Sequence, residues 1–231
     1  MTALLARPRR VEQDDRPRHL PDHLRLPGGG EQRRIDLPDG SLLTLNTASA
    51  VDIAFTEGLR EISLRSGEIL VETAGAARQD PRPLRVRTAQ GSVTARQTRF
   101  TVRQFDARSA VAVIDGSVGI QPAAGAAHDL AAGYWADFSR ESVGPAHAFR
   151  YPPQAWAQGI LYADNLSLAD FGAEIGRYRP GIVRCDPEVA RLRVSGAFQL
   201  RETDTALRAV TRSLPVQLVY RTRYWVTLAA A

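Results

Sequence analysis

The sequence predicts a mainly β protein that ends in a small α+β domain, and three observations support this fold class. From Ile35 to about residue 120, short runs rich in Val, Ile, Leu and Thr alternate in polarity with a period of two, as half-buried strands do. Glycine-containing turns separate these runs. From about residue 156 onward, two amphipathic helical stripes lie between short strands.

In the first part, the alternation is clearest in Arg60–Leu64 and in residues 111–114. Turns of the form x-Gly-Ser or x-Gly-Glu join the strands, and their glycines are spaced by 27, 24 and 25 residues: Gly40, Gly67, Gly91 and Gly116. This spacing is weakly indicative of a repeat with two strands per unit. We therefore expect a β-rich domain over residues 31–140, built as a sandwich, a barrel-like sheet or a short β-solenoid.

The last part predicts the order βαββαββ for a domain over residues 156–231. Ser167 is placed to cap the first helix, and Thr203 is placed to cap the second. Prolines at 180 and 215 end the two helices. The two apolar stripes consist of Leu168, Phe171, Ile175 and Tyr178, then Leu207, Val210 and Leu214.

For two segments, the sequence predicts no regular secondary structure. Residues 1–30 contain four prolines, end in Gly28-Gly29-Gly30 and show no apolar periodicity, which indicates a disordered tail. His19 and His23 have the i, i+4 spacing of metal ligands on a helix, but Pro21 lies between them, so a solvated arm is the preferred interpretation. Residues 141–155 contain three prolines and a glycine and predict a linker.

Composition excludes several classes of protein. The 231 residues are 44% hydrophobic, which is enough for a core and excludes a wholly disordered chain. All 30 basic residues are Arg, and the net charge is +5. Because 25 acidic residues are interspersed with them, the arginines do not form the basic stripe of a nucleic-acid-binding protein. A single cysteine excludes an intramolecular disulfide, and no apolar run reaches the length of a membrane-spanning helix.

No motif predicts an enzyme, a cofactor site or a metal site. Ser41 and Ser117 lie in Gly-Ser turns, where a hydroxyl bonds the local backbone. Asp39 and Asp115 are candidates for paired catalytic carboxylates by residue type alone, and Asp-Gly turns explain both. Cys185 is expected to pack as a small apolar residue. The glycines do not form a nucleotide-binding loop.

Arginine and aromatic residues near the C-terminus are the candidates for partner binding. The strip Tyr220–Trp225 predicts a hairpin with its rings on one face, although stacking on single-stranded nucleic acid is a second interpretation. A protein partner could also add a strand to an exposed edge, either Val216–Tyr220 or Tyr224–Leu228. The candidate residues are Tyr178, Arg179, Arg184, Tyr220, Arg223 and Trp225.

Several segments, taken in order, resemble the FecR domain. Arg34–Ser41 and Leu45–Ser49 resemble its opening, and Gly67-Glu68, Thr98–Val102 and Gly116–Val118 follow in the family's order. The family usually has Gly-Thr where this chain has Gln97-Thr98, so a bulge or tight bend is expected to be lost there. The end of the chain resembles the short secretin/TonB N-terminal-like domain that ends many FecR proteins, in residues 166–181 and 194–198.

The resemblance implies the periplasmic region of a single-pass inner-membrane regulator that acts in cell-surface signalling and iron transport regulation. Its implied partners are the N-terminal signalling domain of a TonB-dependent outer-membrane receptor loaded with an iron–siderophore complex, and an ECF-type sigma factor. The family places its cytoplasmic anti-sigma segment and its transmembrane helix before this region. The alternatives are a carbohydrate-binding or other ligand-binding β-domain protein, and a secretin-type structural subunit.

Overall fold

The computed structural model of the protein describes residues 23–74 and 82–231. Strands make up 50% of it and helices 12%, which confirms a mainly β chain with an α+β part. We call residues 23–138 the β-rich unit and residues 155–231 the C-terminal unit.

The elements follow the predicted order in the C-terminal unit. The strands before it are β1 (His23–Arg25), β2 (Arg33–Asp36), β3 (Leu42–Leu45), β4 (Ala50–Phe55), β5 (Arg60–Glu72), β6 (Leu84–Arg87), β7 (Gly91–Ala95), β8 (Arg99–Gln104), β9 (Ser109–Asp115), β10 (Ser117–Pro122), β11 (His128–Ala131), β12 (Tyr134–Phe138) and β13 (His147–Ala148). The C-terminal unit consists of a 3-10 helix (Ala155–Gln158), β14 (Ile160–Ser167), α1 (Leu168–Arg177), β15 (Ile182–Cys185), β16 (Arg193–Gln199), α2 (Thr203–Ser213), β17 (Val216–Thr222) and β18 (Trp225–Ala230).

The β-rich unit is a curled sheet with two wings that share the long strand β5. One wing has the order β1-β4-β5-β6-β7-β10-β11, and the other has the order β2-β3-β5-β8-β9-β12-β13. Pairing is antiparallel throughout the described strands of this unit except between β5 and β6, unlike the parallel coils of a solenoid. The arrangement is therefore not a solenoid and fits the sandwich and the barrel-like sheet. Both wings contribute to one hydrophobic cluster, which includes Val51, Ile62, Val86, Leu45, Phe100 and Val113.

Strand β5 passes from one wing to the other at Gly67. Residues 60–66 pair with β4, and residues 67–72 pair with β8. Gly67 has φ of +85°, and a Cβ atom there would lie 2.3 Å from Ser49 Oγ, so only glycine fits both the conformation and the space. We expected a turn between two strands at this position. The structure has a bend within one continuous strand, because the conformation of Gly67 turns the chain where its pairing passes from β4 to β8.

The predicted tail is wrong over residues 23–30, whereas residues 1–22, including His19, lie outside the described residues. Strand β1 pairs with β4, and the side chains of Leu24 and Leu26 are buried in the core of the β-rich unit. His23 Nδ1 lies 2.5 Å from Asp52 Oδ1. Two buried leucines, two positions apart, are too few to produce a detectable period.

The predicted linker packs against the β-rich unit. Strand β13 pairs with β12, and the rings of His147 and Trp135 lie 5.1 Å apart. The backbone N–H of Gly144 also donates to the carbonyl of Asp137, at 2.8 Å. The prolines of this segment prevent a long strand, but they leave enough free N–H groups for these contacts.

The C-terminal unit places two helices against a two-stranded sheet, β14-β16, and a three-stranded sheet, β15-β18-β17. The predicted stripe on α1 is confirmed. Leu168, Phe171 and Ile175 are fully buried, and Tyr178 is 7% exposed. They belong to a second hydrophobic cluster, which also contains Leu207, Val210, Val226 and Leu228.

One of the two predicted helix caps is confirmed. The Ser167 hydroxyl accepts a hydrogen bond from the backbone N–H of Asp170, at 3.1 Å. Thr203 is instead the first residue of α2, and the N-cap is Glu202, which makes no side-chain capping bond. The side chain of Thr203 is buried in the first turn, so the helix begins one residue earlier than its polar sequence indicates.

Candidate partner-binding surface

The three-stranded sheet of the C-terminal unit has β15 and β17 at its two edges. Strand β17 pairs antiparallel with β18, and β15 pairs with the other side of β18 in parallel. Of the two strands predicted as a possible edge, Val216–Tyr220 is therefore at the edge, whereas Tyr224–Leu228 is central. Among the described residues β17 has β18 as its single neighbour, so its outer N–H and C=O groups are free to pair with another strand.

The same sheet has one face without a packed helix layer. Side chains alternate along a strand, so the fully buried Val226 and Leu228 of β18 face the helices, and Trp225 lies on the opposite face. Two apolar side chains of the flanking strands are also exposed, Ile182 by 48% and Val219 by 42%. An exposed apolar patch of this kind is typical of an interaction surface.

Trp225 lies between two guanidinium groups. The Cζ atoms of Arg184 and Arg221 are each 5.1 Å from the centroid of its ring, and Arg223 lies 4.5 Å from the ring centroid of Tyr224. These distances are in the range of cation–π contacts. Within residues 23–74 and 82–231, none of these three arginines forms an ion pair. We call Arg184, Arg221, Arg223 and Trp225 the Arg–Trp patch.

The remaining predicted site residues lie in three different places. Tyr220 is 46% exposed on the edge strand β17. Arg179 is 6% exposed, and its Nη2 donates to Asp204 Oδ1 at 3.0 Å, beneath the surface near α2. Tyr178 is buried against the β-rich unit. The structure thus brings Arg184 into contact with Trp225 and places Arg223 in the adjoining turn, over Tyr224. Tyr220 lies opposite Val226 in the sheet, so its side chain is on the helix-facing side, away from Trp225.

Sequence reasoning did not predict the buried polar contact around Tyr178. Asn46 is fully buried, and its Nδ2 donates to the Tyr178 hydroxyl at 2.7 Å and to Glu68 Oε2 at 2.8 Å. Arg177 Nη1 lies 3.3 Å from Glu68 Oε2 and 3.1 Å from Glu174 Oε2. We call Asn46, Glu68, Glu174, Arg177 and Tyr178 the inter-unit contact. Its one sequence signal was Tyr178 on the stripe of α1, which we assigned to the core of a single domain.

Electrostatics within the inter-unit contact follow from burial and charge pairing. Burial, reinforced by the charge of Glu68, raises the pKa of Tyr178 to about 12. Burial opposes ionisation of Glu174, but the guanidinium groups of Arg103 and Arg177 outweigh it and lower the pKa of this carboxyl. The pKa of Arg177 is raised, because the carboxylates of Glu68 and Glu174 outweigh its desolvation. The contact therefore holds a neutral tyrosine beside compensated charges.

A cleft of about 470 Å³ lies beside this contact. The rings of Tyr151 and Tyr162 stack in its wall with centroids 4.7 Å apart, and the guanidinium groups of Arg103 and Arg108 lie over the ring of Phe105. Both arginines are also paired with carboxylates. The wall is aromatic, but the guanidinium groups over Phe105 are already paired within the protein.

The residues considered for catalysis have structural surroundings. Ser41 is buried, and its hydroxyl donates to Asp39 Oδ2 at 2.7 Å and accepts from the backbone N–H of Ala74 at 3.0 Å. Burial, followed by the charge of Asp186, raises the pKa of Cys185, which disfavours the reactive thiolate. No group of three or more His, Cys, Asp or Glu side chains in the described part of the chain could hold a metal ion.

Comparison with known proteins identifies the β-rich unit. Residues 27–119 match the model of the family described as FecR protein. This part of the chain belongs to the FecR family. A search of curated proteins found no match to the chain. In the pairing of β8 with β9, the register shifts between Arg99 and Phe100, and the extra residue is Ile114 on β9.

The fold similarity extends beyond the FecR domain. Two crystal structures of a candidate anti-sigma factor from Parabacteroides distasonis superpose on the chain, each with a TM-score of 0.75 and 22% identity. The alignments cover 90% of this chain and 98% and 99% of those chains. At this identity the similarity establishes a shared fold for most of the chain, including the C-terminal unit. No helix among the described residues is both long and apolar enough to span a membrane.

Proposed function

We propose that this chain is the periplasmic, signal-transducing region of a FecR-like sigma-factor regulator, without catalytic activity. It would bind the signalling domain of a TonB-dependent iron–siderophore receptor and relay the signal across the inner membrane to a sigma factor. FecR membership and a fold shared with a candidate anti-sigma factor support a regulatory role. The two hydrophobic clusters support a division into a FecR domain, which Leu24 and Leu26 extend back to residue 23, and a recognition domain over residues 156–231, with residues 141–155 joining them.

The observation that carries the binding proposal is the Arg–Trp patch beside the edge strand β17. Its guanidinium groups lack carboxylate partners among the described residues, so the patch favours a partner surface with acidic side chains. Strand addition at β17 would supply main-chain hydrogen bonds, and Trp225 would act as the anchoring side chain. Selectivity would then come from the acidic residues that the partner places over the patch.

The test is a calorimetric titration of the chain with the receptor's signalling domain. We expect Trp225→Ala to weaken binding by more than about 1 kcal/mol, about fivefold or more in Kd. Trp135→Ala, in the FecR domain, is the matched control and should leave Kd unchanged. The double variant of Arg184 and Arg221 to Ala should weaken binding and reduce its dependence on salt, whereas Arg33→Ala should do neither.

Each outcome has a distinct interpretation. Wild-type affinity in a folded Trp225→Ala variant would remove the patch as the binding surface while leaving the partner unchanged. No binding by the folded wild-type chain would contradict the receptor proposal itself. Micromolar self-association in sedimentation would instead favour the secretin-type alternative.

For the ligand-binding alternative, we propose the aromatic cleft beside the inter-unit contact as the binding site. Tyr151 is 44% exposed and offers a ring for stacking. Phe105 offers less, because two guanidinium groups already lie over its ring. A glycan screen that gives saturable binding, lost in Tyr151→Ala, would favour this alternative.

A further inference from the structure

A short segment between β1 and β2 contacts both units of the protein. We call residues 26–32 the strap. On the FecR domain, the backbone N–H of Leu26 donates to the carbonyl of Ser49 at 2.8 Å. On the C-terminal unit, the N–H of Gly29 donates to the carbonyl of Arg177 at 3.0 Å, and Gln32 Nε2 donates to the carbonyl of Trp156 at 2.8 Å. The strap therefore bridges the two units.

The strap lies against the C-terminal end of α1. The last carbonyls of a helix have no partner within it, and the strap provides the Gly29 N–H for the carbonyl of Arg177. Gly30 has φ of +96°, and a Cβ atom there would lie 3.0 Å from the carbonyl oxygen of Tyr178. Gly29 has a similar φ of +101° with no atom within 4 Å of its Cβ position. Only Gly30 therefore requires glycine for close approach to the C-terminal unit.

The strap and the inter-unit contact share hydrogen-bonding partners. Gln32 Nε2 lies 3.3 Å from Asn46 Oδ1, and Asn46 bonds the Tyr178 hydroxyl. Thr47 Oγ1 accepts from the N–H of Gly30 at 3.1 Å and lies 3.2 Å from the carbonyl of Arg177. A displacement of Tyr178 and Arg177 would therefore remove hydrogen-bonding partners from the strap and from the inter-unit contact at the same time.

Strand β1 depends on the strap for its stability. It pairs with β4 through three residue pairs, from His23–Asp52 to Arg25–Ala50. The buried side chain of Leu24 holds this short strand to the core, and the strand is held more firmly when the residues next to it in the chain are fixed. The contacts of the strap with both units fix those residues.

We propose that the strap couples the docking of the C-terminal unit to the stability of strand β1. When the inter-unit contact opens, the strap loses its partners on α1, and β1 detaches more readily from β4. A change at the recognition unit would thereby reach the N-terminal end of the described chain through about ten residues. The proposal rests on intramolecular contacts and does not require the receptor proposal to be correct.

Hydrogen exchange of the full chain tests this coupling. Tyr178→Phe removes the hydroxyl that bonds Asn46 and touches no residue of β1. We expect the amides of residues 24–30 to exchange about fivefold faster or more in this variant. Tyr151→Phe, which removes an exposed hydroxyl, is the control and should leave their exchange unchanged.

The two glycines supply a second, matched comparison. Alanine at either position introduces similar backbone strain, but only Gly30→Ala places a methyl group against the carbonyl of Tyr178. Gly30→Ala should therefore accelerate exchange in β1 more than Gly29→Ala does. The amides of β8 in the core should keep wild-type protection in both variants, which verifies that they are folded.

The results that would overturn the proposal are specific. One is faster exchange at the end of α1 in Tyr178→Phe with unchanged exchange in residues 24–30, which would mean that the units separate without the strap. The other is an equal increase in the exchange rate of the β1 amides in Gly29→Ala and Gly30→Ala, which would mean that backbone strain alone causes the increase. If Tyr178→Phe does not fold, Gln32→Ala provides the same measurement, because it removes the contact to Trp156 and retains Tyr178.

Discussion

Ionisation of Tyr178 at high pH should lower the free energy of unfolding, and the substitution Tyr178→Phe should abolish this loss. Its hydroxyl is enclosed between the two units, where Asn46 bonds it and the charge of Glu68 lies nearby. Burial is the main cause that raises its pKa, from 10.0 to about 12. In the unfolded chain the same group would ionise near its ordinary pKa.

The sign and the size of this loss of stability follow from the linkage between proton binding and folding. A group whose folded pKa is raised contributes its full stability below the unfolded pKa and loses it as pH rises towards the folded value. The free energy of unfolding should therefore be unaffected by Tyr178 below about pH 10 and should fall between about pH 10 and 12. A shift of about two pKa units corresponds to roughly 2.7 kcal/mol in total, and roughly 1.4 kcal/mol of it is lost by pH 11.

The assay is urea denaturation of the wild type and Tyr178→Phe at pH 9 and pH 11. Other titrating groups contribute equally to both proteins, so the difference between their pH dependences reports Tyr178. We expect the wild type to lose about 1.4 kcal/mol more than the variant between these two pH values. Equal losses would refute the conclusion that Tyr178 is buried as a neutral hydroxyl between the units.

Two pairs of substitutions test local features of the fold. Gly67→Ala places a methyl group 2.3 Å from Ser49 Oγ and should cost about 3 kcal/mol or prevent folding, whereas Gly133→Ala, with φ of +89° and open space, should cost about 1 kcal/mol by thermal denaturation. Ser167→Ala removes the confirmed cap of α1 and should lower the free energy of unfolding by about 1 kcal/mol. Thr203→Ala should show no capping loss, and a larger loss there than at Ser167 would contradict the cap assignment.

The candidate site was only partly predictable from sequence. Arg223 and Trp225 were chosen because arginine and aromatic residues cluster near the C-terminus, and Arg184 was chosen as part of a basic rim with Arg179. The structure places Arg184 against Trp225. Arg221 completes the Arg–Trp patch, but nothing local distinguished it from the other arginines of the strip. Tyr178 was chosen for its neighbours in sequence, and its position against Asn46 depends on a contact between residues 132 positions apart.

The sequence by itself determined the local elements of this protein. Alternation with a period of two, a helical stripe from Leu168 to Tyr178, and Ser167 at a helix start are all properties of neighbouring residues, so they were readable without a structure. They also determined the order βαββαββ of the C-terminal unit. The resemblance to FecR proteins likewise rested on short motifs in a fixed order.

Only the tertiary structure decided which strands are neighbours and which polar side chains are buried. Strand β5 is shared by two wings, β17 rather than β18 is the edge, and Asn46 is enclosed between two units. Strand pairing joins backbone groups that are the same in every residue except proline, and a polar side chain has the same chemistry whether it is exposed or buried. Their partners are distant in the chain, and for that reason no local pattern recorded them.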